Sequence, residues 1–169
     1  MTEPIEVQER GRMIAYSFDD MLKYHGPGSP GGVAVAFKAL QCALALLSSD
    51  GPPLRRGISI RTSFGGPGAR DGFEAVTRAV TGERFALDPA LARPERGRLV
   101  ERFVFEVAYG GRSVALLLRE GFVTEEFIDL ARKDGRSEQE EAHLDVLKSE
   151  LAASVMGAAP SDVYDVADA

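Results

Sequence analysis

The feature that most constrains this chain is a long apolar segment, residues 33–47, in which Lys38 and Gln41 are the only strongly polar residues. Alanine and leucine dominate the segment, and both favour a helix. A helix that is apolar on all sides is stable in water only when other elements cover it. The segment therefore predicts a buried helix around which the rest of the chain is built.

A loop rich in glycine and proline, residues 25–32 with the sequence HGPGSPGG, leads directly into this helix. Ser29 suits the N-cap position, and Pro30 suits the first helical position because its missing N–H would have no intrahelical partner there. The free N–H groups and the positive end of the helix dipole then face whatever lies beside the loop. We expect a pocket at this point.

Length and composition limit the classes of protein that fit. The 169 residues suit one domain, which we assign to residues 15–166, after a flexible N-terminus at 1–14. A net charge of −6 with no basic run argues against a nucleic-acid partner. The apolar segment is shorter than the ~20 residues of a membrane span, and the first residues do not resemble a signal peptide. We therefore expect a cytoplasmic protein with no membrane partner, and an inert buried thiol at Cys42.

Hydrophobic periodicity and turn residues predict an α+β fold. We expect the central helix to pack on one face of a mixed or antiparallel sheet of about four strands, with further helices at the C-terminus. The predicted strands cover residues 57–63, 84–87, 99–109 and 113–119. The other predicted helices cover residues 18–24, a segment that starts at Asp71, 124–133 and a longer one from Ser137, before a docked turn at 160–166.

His25 is the first candidate for chemistry, because it stands in the glycine-rich loop immediately before the central helix. Its imidazole suits a general acid or base, or a single metal ligand. The alternative is a histidine that only holds the turn through hydrogen bonds to the loop. If Glu74 faces His25, the carboxylate would fix the histidine tautomer and raise its basicity. The other histidine, His143, lies on a charged helix and is expected to be solvated.

A second glycine-rich loop, residues 64–72, follows the first predicted strand and precedes a helix. It lacks the lysine and the glycine spacing of nucleotide-binding loops. Arg61 lies before this loop and Arg70 within it, and with the helix N-terminus they could hold a carboxylate or phosphate. Asp71 and Glu74 are most simply capping residues. The substrate-binding candidates are Ser29, Arg61, Ser63, Arg70 and Asp71.

Neither a metal site nor a nucleophilic serine is supported by residue spacing. The chain has no His-x-x-His, no paired cysteines and no Asp-x-Asp. No Gly-x-Ser-x-Gly elbow surrounds Ser29 or Ser63. We therefore predict no cofactor and disfavour a bound metal.

The order of these motifs resembles the FmdE family, which is named after a component of formylmethanofuran dehydrogenase. Members carry a His-Gly-His-x-Cys-Pro-Gly loop before a long helix of small residues, and this loop stands here as residues 25–31. The segment from Phe73 to the pair Thr81-Gly82 and the turn at 160–166 are also similar to the family pattern. The resemblance covers residues 15–166 and implies an α+β core in a homodimer.

Departures from the family pattern affect the metal ligands most. His25 is kept, but Pro27 and Ser29 replace the second histidine and the cysteine, and Glu83 stands where a cysteine often follows Thr-Gly. A soft-metal site would lose most of its ligands by these changes. The resemblance therefore implies the family's pocket without its metal chemistry.

Three functional hypotheses follow. The first is an enzyme that acts on a small, possibly anionic molecule, with His25 as acid or base, Glu74 or Asp71 orienting it, and Arg61 or Arg70 holding the substrate. The second is a dimeric binding or accessory module without catalysis. The third is a metalloprotein with a site made of His25 and carboxylates.

Overall fold

The computed structural model describes residues 2–168, with the main chain only at Asp168. The chain forms a two-stranded hairpin, a five-stranded mixed sheet and six helices within these residues. The strands are β1 (Ile5–Glu9), β2 (Arg12–Tyr16), β3 (Ser59–Thr62), β4 (Phe85–Leu87), β5 (Val104–Tyr109), β6 (Arg112–Leu118) and β7 (Tyr164–Asp168). The helices are α1 (Phe18–His25), α2 (Pro30–Leu47), α3 (Pro67–Thr77), α4 (Glu125–Arg132), α5 (Glu138–Met156) and α6 (Pro160–Val163).

The larger sheet has the strand order β4-β3-β5-β6-β7. Adjacent strands in this sheet are antiparallel except β3 and β4, which are parallel. Its inner face carries fully buried residues such as Ile60, Phe105 and Leu116. Its outer face carries Arg61 and Glu106, which lie opposite each other on β3 and β5. One face of the sheet therefore belongs to the core, as expected of an antiparallel arrangement.

Helix α2 is the centre of the core, as the apolar segment predicts. It packs against α3 and α5 on its sides and contacts β5 and β6 of the sheet. Its residues from Val33 to Ala39 are buried, including Lys38. The Lys38 ammonium donates to the Ala158 carbonyl at 2.7 Å, beyond the end of α5, and burial lowers the pKa of Lys38. This polar residue thus ties α2 to the end of α5.

The α+β class and the central helix are confirmed. The predicted strands 99–109 and 113–119 form the antiparallel hairpin β5–β6, but β5 begins only at Val104 because residues 99–103 are not in the sheet. Two predicted helix starts have full capping boxes, Ser17 with Asp20 and Ser137 with Glu140. Thr124 also caps its helix, by accepting from the Phe127 N–H. The sheet has one strand more than expected because the C-terminal segment adds β7 at its edge.

The prediction of a flexible N-terminus is wrong from residue 5 onward. Residues 5–16 form a hairpin, and Ile5 and Val7 are buried against the core. Arg10 and Gly11 both have positive φ, as a tight two-residue hairpin turn requires. The polar composition hid this strand because only two apolar side chains, spaced by two, anchor it to the core.

The prediction of a docked turn at 160–166 describes only part of this segment. Residues 160–163 form the short helix α6, and the chain then continues as β7 along β6. Tyr164 is 1% exposed, and its hydroxyl donates to the Val35 carbonyl of α2 at 2.6 Å. This buried contact holds the final segment at the edge of the sheet.

Candidate functional site

His25 is the last residue of α1, and both of its ring nitrogens are bound within the protein. Its Nδ1 lies 2.8 Å from Oδ2 of Asp71 on α3. Its Nε2 lies 3.0 Å from the main-chain nitrogen of Ser29. Because the Ser29 N–H can only donate, Nε2 accepts and Nδ1 carries the proton given to Asp71. With its side chain 7% exposed, His25 joins α1, α3 and the start of α2.

Glu74 does not contact His25. Its carboxylate accepts hydrogen bonds from the main-chain N–H of Thr81, at 3.1 Å, and from the Thr81 hydroxyl. The side chain is buried, and its partner lies in the turn after α3. Glu74 therefore holds that turn against its own helix.

The prediction that Asp71 and Glu74 cap a helix is wrong. Helix α3 begins at Pro67, with Gly66 at the N-cap position and no side-chain cap. Asp71 therefore lies in the second turn, where the main-chain N–H groups already bond within the helix. Ser29 does hold the N-cap position of α2, but its side chain makes no capping hydrogen bond.

The remaining candidates lie apart from one another. Arg61 is on the outer face of the sheet, where it pairs with Glu106 at 2.9 Å and with Asp88; hydrogen bonds to these carboxylates raise the pKa of Arg61. Ser63 is buried and donates to the Arg102 carbonyl at 2.8 Å. Arg70 is exposed, 3.6 Å from Asp71. The structure brings only His25, Asp71, Ser29 and the exposed Arg70 near one another.

The glycines of the two loops allow α2 and α3 to pack unusually closely. A methyl group on Gly68 would overlap the Ser29 carbonyl oxygen and come 3.0 Å from Ser29 Cβ. One on Gly32 would lie 2.9 Å from the Ala69 nitrogen, and one on Gly72 would lie 3.0 Å from Ala36 Cβ. The two loops therefore meet, and both helices begin at the same place.

A cavity of about 420 Å³ opens at this place, and we call it the arginine pocket. Its walls come from the starts of α2 and α3, the segment before β5, helix α4 and one side of α5. Its apolar wall residues are Phe64, Pro67, Leu99, Phe103, Phe127, Ile128, Ala131, Leu144 and Leu151. Its charged wall residues are Arg98, Arg102, Arg132, Arg136 and Lys148, and Ser29 with five glycines completes it.

Every charged residue of the arginine pocket is positive, although the chain has a net charge of −6. Three of the five cations have partners: Arg98 pairs with an aspartate of α4, Arg136 with a glutamate of α5 and several carbonyls, and Lys148 with the Gly28 carbonyl. Within the described residues, Arg102 and Arg132 form no ion pair or side-chain hydrogen bond. These two guanidinium groups are available to an anion.

Main-chain N–H groups add to the positive potential of this pocket. Gly31 and Gly32 belong to the first turn of α2, and Gly68 belongs to the first turn of α3. N–H groups in a first turn have no intrahelical partner, and neither helix has a side-chain cap. The positive ends of two helix dipoles therefore meet at the pocket wall.

Of the residues selected from the sequence, Ser29 alone lines the arginine pocket. The five cations were missed because they come from three separate segments, and no local motif joins them. The sequence signal for the pocket is the pair of glycine-rich loops, each ending at a helix start, and a pocket was expected beside the first of them. Nothing in the sequence shows that these loops meet.

A second cavity lies elsewhere in the described chain. This wider cavity of about 670 Å³ lies between the N-terminal residues, α2 and β7. Cys42 lines it, and burial raises the pKa of this thiol. Across residues 2–168, no group of three or more His, Cys, Asp or Glu side chains is arranged to hold a metal ion. Helix α2 has the length and hydropathy of a membrane span, but 72% of it is buried inside the protein.

The sequence was also compared with known proteins. No protein-family model matches it, and no curated protein is significantly similar to it.

Proposed function

We propose that this protein binds a small organic anion in the arginine pocket. The volume of about 420 Å³ is within the range of small-molecule sites. The pocket combines apolar walls with a few convergent polar groups, which is the usual composition of such sites. The proposed role is that of a binding or accessory module.

One observation carries this proposal: Arg102 and Arg132 face the pocket with no acidic partner in a chain that has an excess of acidic residues. The other two arginines of the pocket, Arg98 and Arg136, each pair with a carboxylate. Two unpaired guanidinium groups beside two helix N-termini favour an anionic group. Anion binding would pair the charges that the protein leaves unpaired.

Acid–base catalysis by His25 is the second candidate. The His25–Asp71 hydrogen bond supports it, because a carboxylate on Nδ1 orients an imidazole for proton transfer at Nε2. In this candidate, however, Nε2 must first release the Ser29 N–H, and His25 does not line the arginine pocket. Binding without catalysis needs no such rearrangement, so we rank it first.

We also propose a family and a setting for the protein. The glycine-rich entry to α2 and the small residues of that helix support a distant relation to the FmdE family. Such a relation implies a homodimer, and we propose a cytoplasmic location with no nucleic-acid or membrane partner. Light scattering after gel filtration tests the dimer: a mass near 18.2 kDa would contradict it.

Anion binding is tested by titration calorimetry with an aromatic carboxylate, 2-naphthoate, and its neutral amide. We expect saturable binding of naphthoate and much weaker binding of the amide. Arg102→Gln and Arg132→Gln should each weaken naphthoate binding about tenfold, since a hydrogen bond to a charged group is worth roughly 1.5–3 kcal/mol. Higher salt should weaken binding further because these guanidinium groups are exposed.

Arg12→Gln is the matched control, because Arg12 is an exposed arginine of β2 that lies outside the pocket. It removes the same charge and should leave naphthoate binding unchanged. If all three variants lose affinity equally, the effect is one of net charge and the proposed site is wrong. If naphthoate and its amide bind equally well, the anion preference is wrong.

A further inference from the structure

We infer that the ligand of the arginine pocket is an amphiphile: one anionic head group joined to an aromatic or medium-chain apolar body. This inference rests on the proposed function and adds the chemical class of the ligand. Two features of the pocket carry it, the small number of unpaired cations and the large apolar wall.

The number of unpaired cations limits the charge of the ligand. Arg102 and Arg132 have no partner in the described structure, whereas Arg98, Arg136 and Lys148 do. A polyphosphate would have to draw these three away from carboxylates and carbonyls. A single carboxylate, sulfonate or phosphate is matched by the two unpaired guanidinium groups and the first-turn N–H groups.

Aromatic side chains form one part of the apolar wall. Phe64 stacks on Phe103, with ring centroids 4.3 Å apart and planes 25° apart. Phe64 is only half-buried although it contacts the core, and it lines the pocket. A flat ring is the surface that an apolar or aromatic ligand body can cover most completely.

Helices α4 and α5 supply another part of the apolar wall. Phe127 of α4 is half-buried and lines the pocket beside the buried Ile128. Leu144 and Leu151 of α5 are buried where they line it. Water in contact with the half-buried Phe127 gains few hydrogen bonds, so its displacement by an apolar body favours binding.

The volume of the pocket supports the same conclusion. A water molecule accounts for about 30 Å³ of liquid, so an ion of a few atoms would leave most of the 420 Å³ filled with water. An amphiphile fills the apolar part and reaches the cations with its head group. The head group could be a carboxylate or a phosphate, and the experiment separates these sources.

The test is calorimetric titration of the full chain with acetate, butanoate, hexanoate and octanoate, and with octanamide, octyl phosphate, inorganic phosphate and ATP. Affinity should rise about fourfold per added methylene, the gain expected for burying one CH₂ group. Octanamide should bind at least tenfold more weakly than octanoate. The ratio of the affinities for octanoate and octyl phosphate identifies the preferred head group. Either preference supports an amphiphile.

Phe127→Ala is the variant that addresses the apolar wall. It should reduce the gain per methylene at least twofold over the octanoate end of the series and leave the weak acetate binding unchanged. Met13→Ala is the matched control, because Met13 is 63% exposed on β2 and does not line the pocket. It should leave the whole series unchanged.

Several results would overturn the inference. A series that is flat from acetate to octanoate, with binding still lost in Arg102→Gln, would reject the amphiphile and leave anion binding standing. ATP or inorganic phosphate that binds more tightly than every amphiphile would do the same. If no anion of the panel binds, both the inference and the proposed function are wrong.

Discussion

His25 and Asp71 form a hydrogen bond of 2.8 Å between Nδ1 and Oδ2 that joins α1 to α3, 46 residues later in the chain. The other ring nitrogen accepts the Ser29 N–H at the start of α2. One side chain thus connects three helices at the point where the two glycine-rich loops meet. Its removal would leave a partly buried carboxylate and a main-chain N–H without their partner.

We predict that His25→Ala lowers the free energy of unfolding by about 2–3 kcal/mol, the cost of unpairing such groups. Urea unfolding of the variant and wild type measures the change. His143→Ala is the control, because His143 is exposed and pairs only with the exposed Glu126; it should change stability by less than about 0.5 kcal/mol. Equal effects of the two variants would contradict a structural role for His25.

Gly68→Ala should destabilise the protein by about 2–3 kcal/mol, because overpacking of closely fitted elements has this cost. The added methyl group would overlap the Ser29 carbonyl, which cannot move without shifting α2. Gly28→Ala in the other loop is the control, since its methyl group would meet only His25 Nε2 at 3.8 Å. Thermal unfolding of both variants decides whether this glycine is required for α2–α3 packing; a stable Gly68→Ala would show that it is not.

Tyr164 should make the protein sensitive to alkali. Burial raises the pKa of Tyr164 well above its usual 10, so above pH 10 the unfolded chain releases this proton before the folded chain does. The unfolded state then binds fewer protons, and stability falls as pH rises, by up to about 1.4 kcal/mol per pH unit. Below pH 10 both states keep the proton and this contribution is constant.

Tyr164→Phe tests whether Tyr164 causes this loss of stability at high pH. It should cost about 1 kcal/mol at neutral pH, through loss of the hydrogen bond to the Val35 carbonyl, and should flatten the decline in stability between pH 10 and 11. Tyr24→Phe is the control, because Tyr24 is 57% exposed. Urea unfolding at several pH values gives both slopes, and an unchanged slope in Tyr164→Phe would contradict the assignment.

Glu74→Ala should lower stability by about 2 kcal/mol, since it leaves the Thr81 N–H without the carboxylate that accepts it. Glu74→Gln keeps one acceptor oxygen and should lose less. Glu150→Ala, at an exposed position of α5, is the control and should change stability by less than about 0.5 kcal/mol. If Glu74→Ala leaves the free energy of unfolding unchanged, this carboxylate does not hold the turn after α3.

Local patterns in the sequence were sufficient to predict several helices. The apolar run of residues 33–47 identifies the core helix, because a helix without a polar face is stable in water only when other elements cover it. The capping pairs Ser17–Asp20 and Ser137–Glu140 locate two helix starts, since their hydrogen bonds join residues three apart. These features need only neighbours along the chain, so the sequence alone determines them.

Long-range contacts decided the rest. Strands β1 and β7 depend on burial of a few side chains, such as Val7 and Tyr164, against α2, and polar residues interrupt the apolar ones in both strands. Gly68 permits the close approach of α2 to α3, which no local pattern in the sequence shows. Arg102 and Arg132 reach one cavity from segments 30 residues apart. Only the packing of these segments together could place the unpaired arginines beside two helix N-termini.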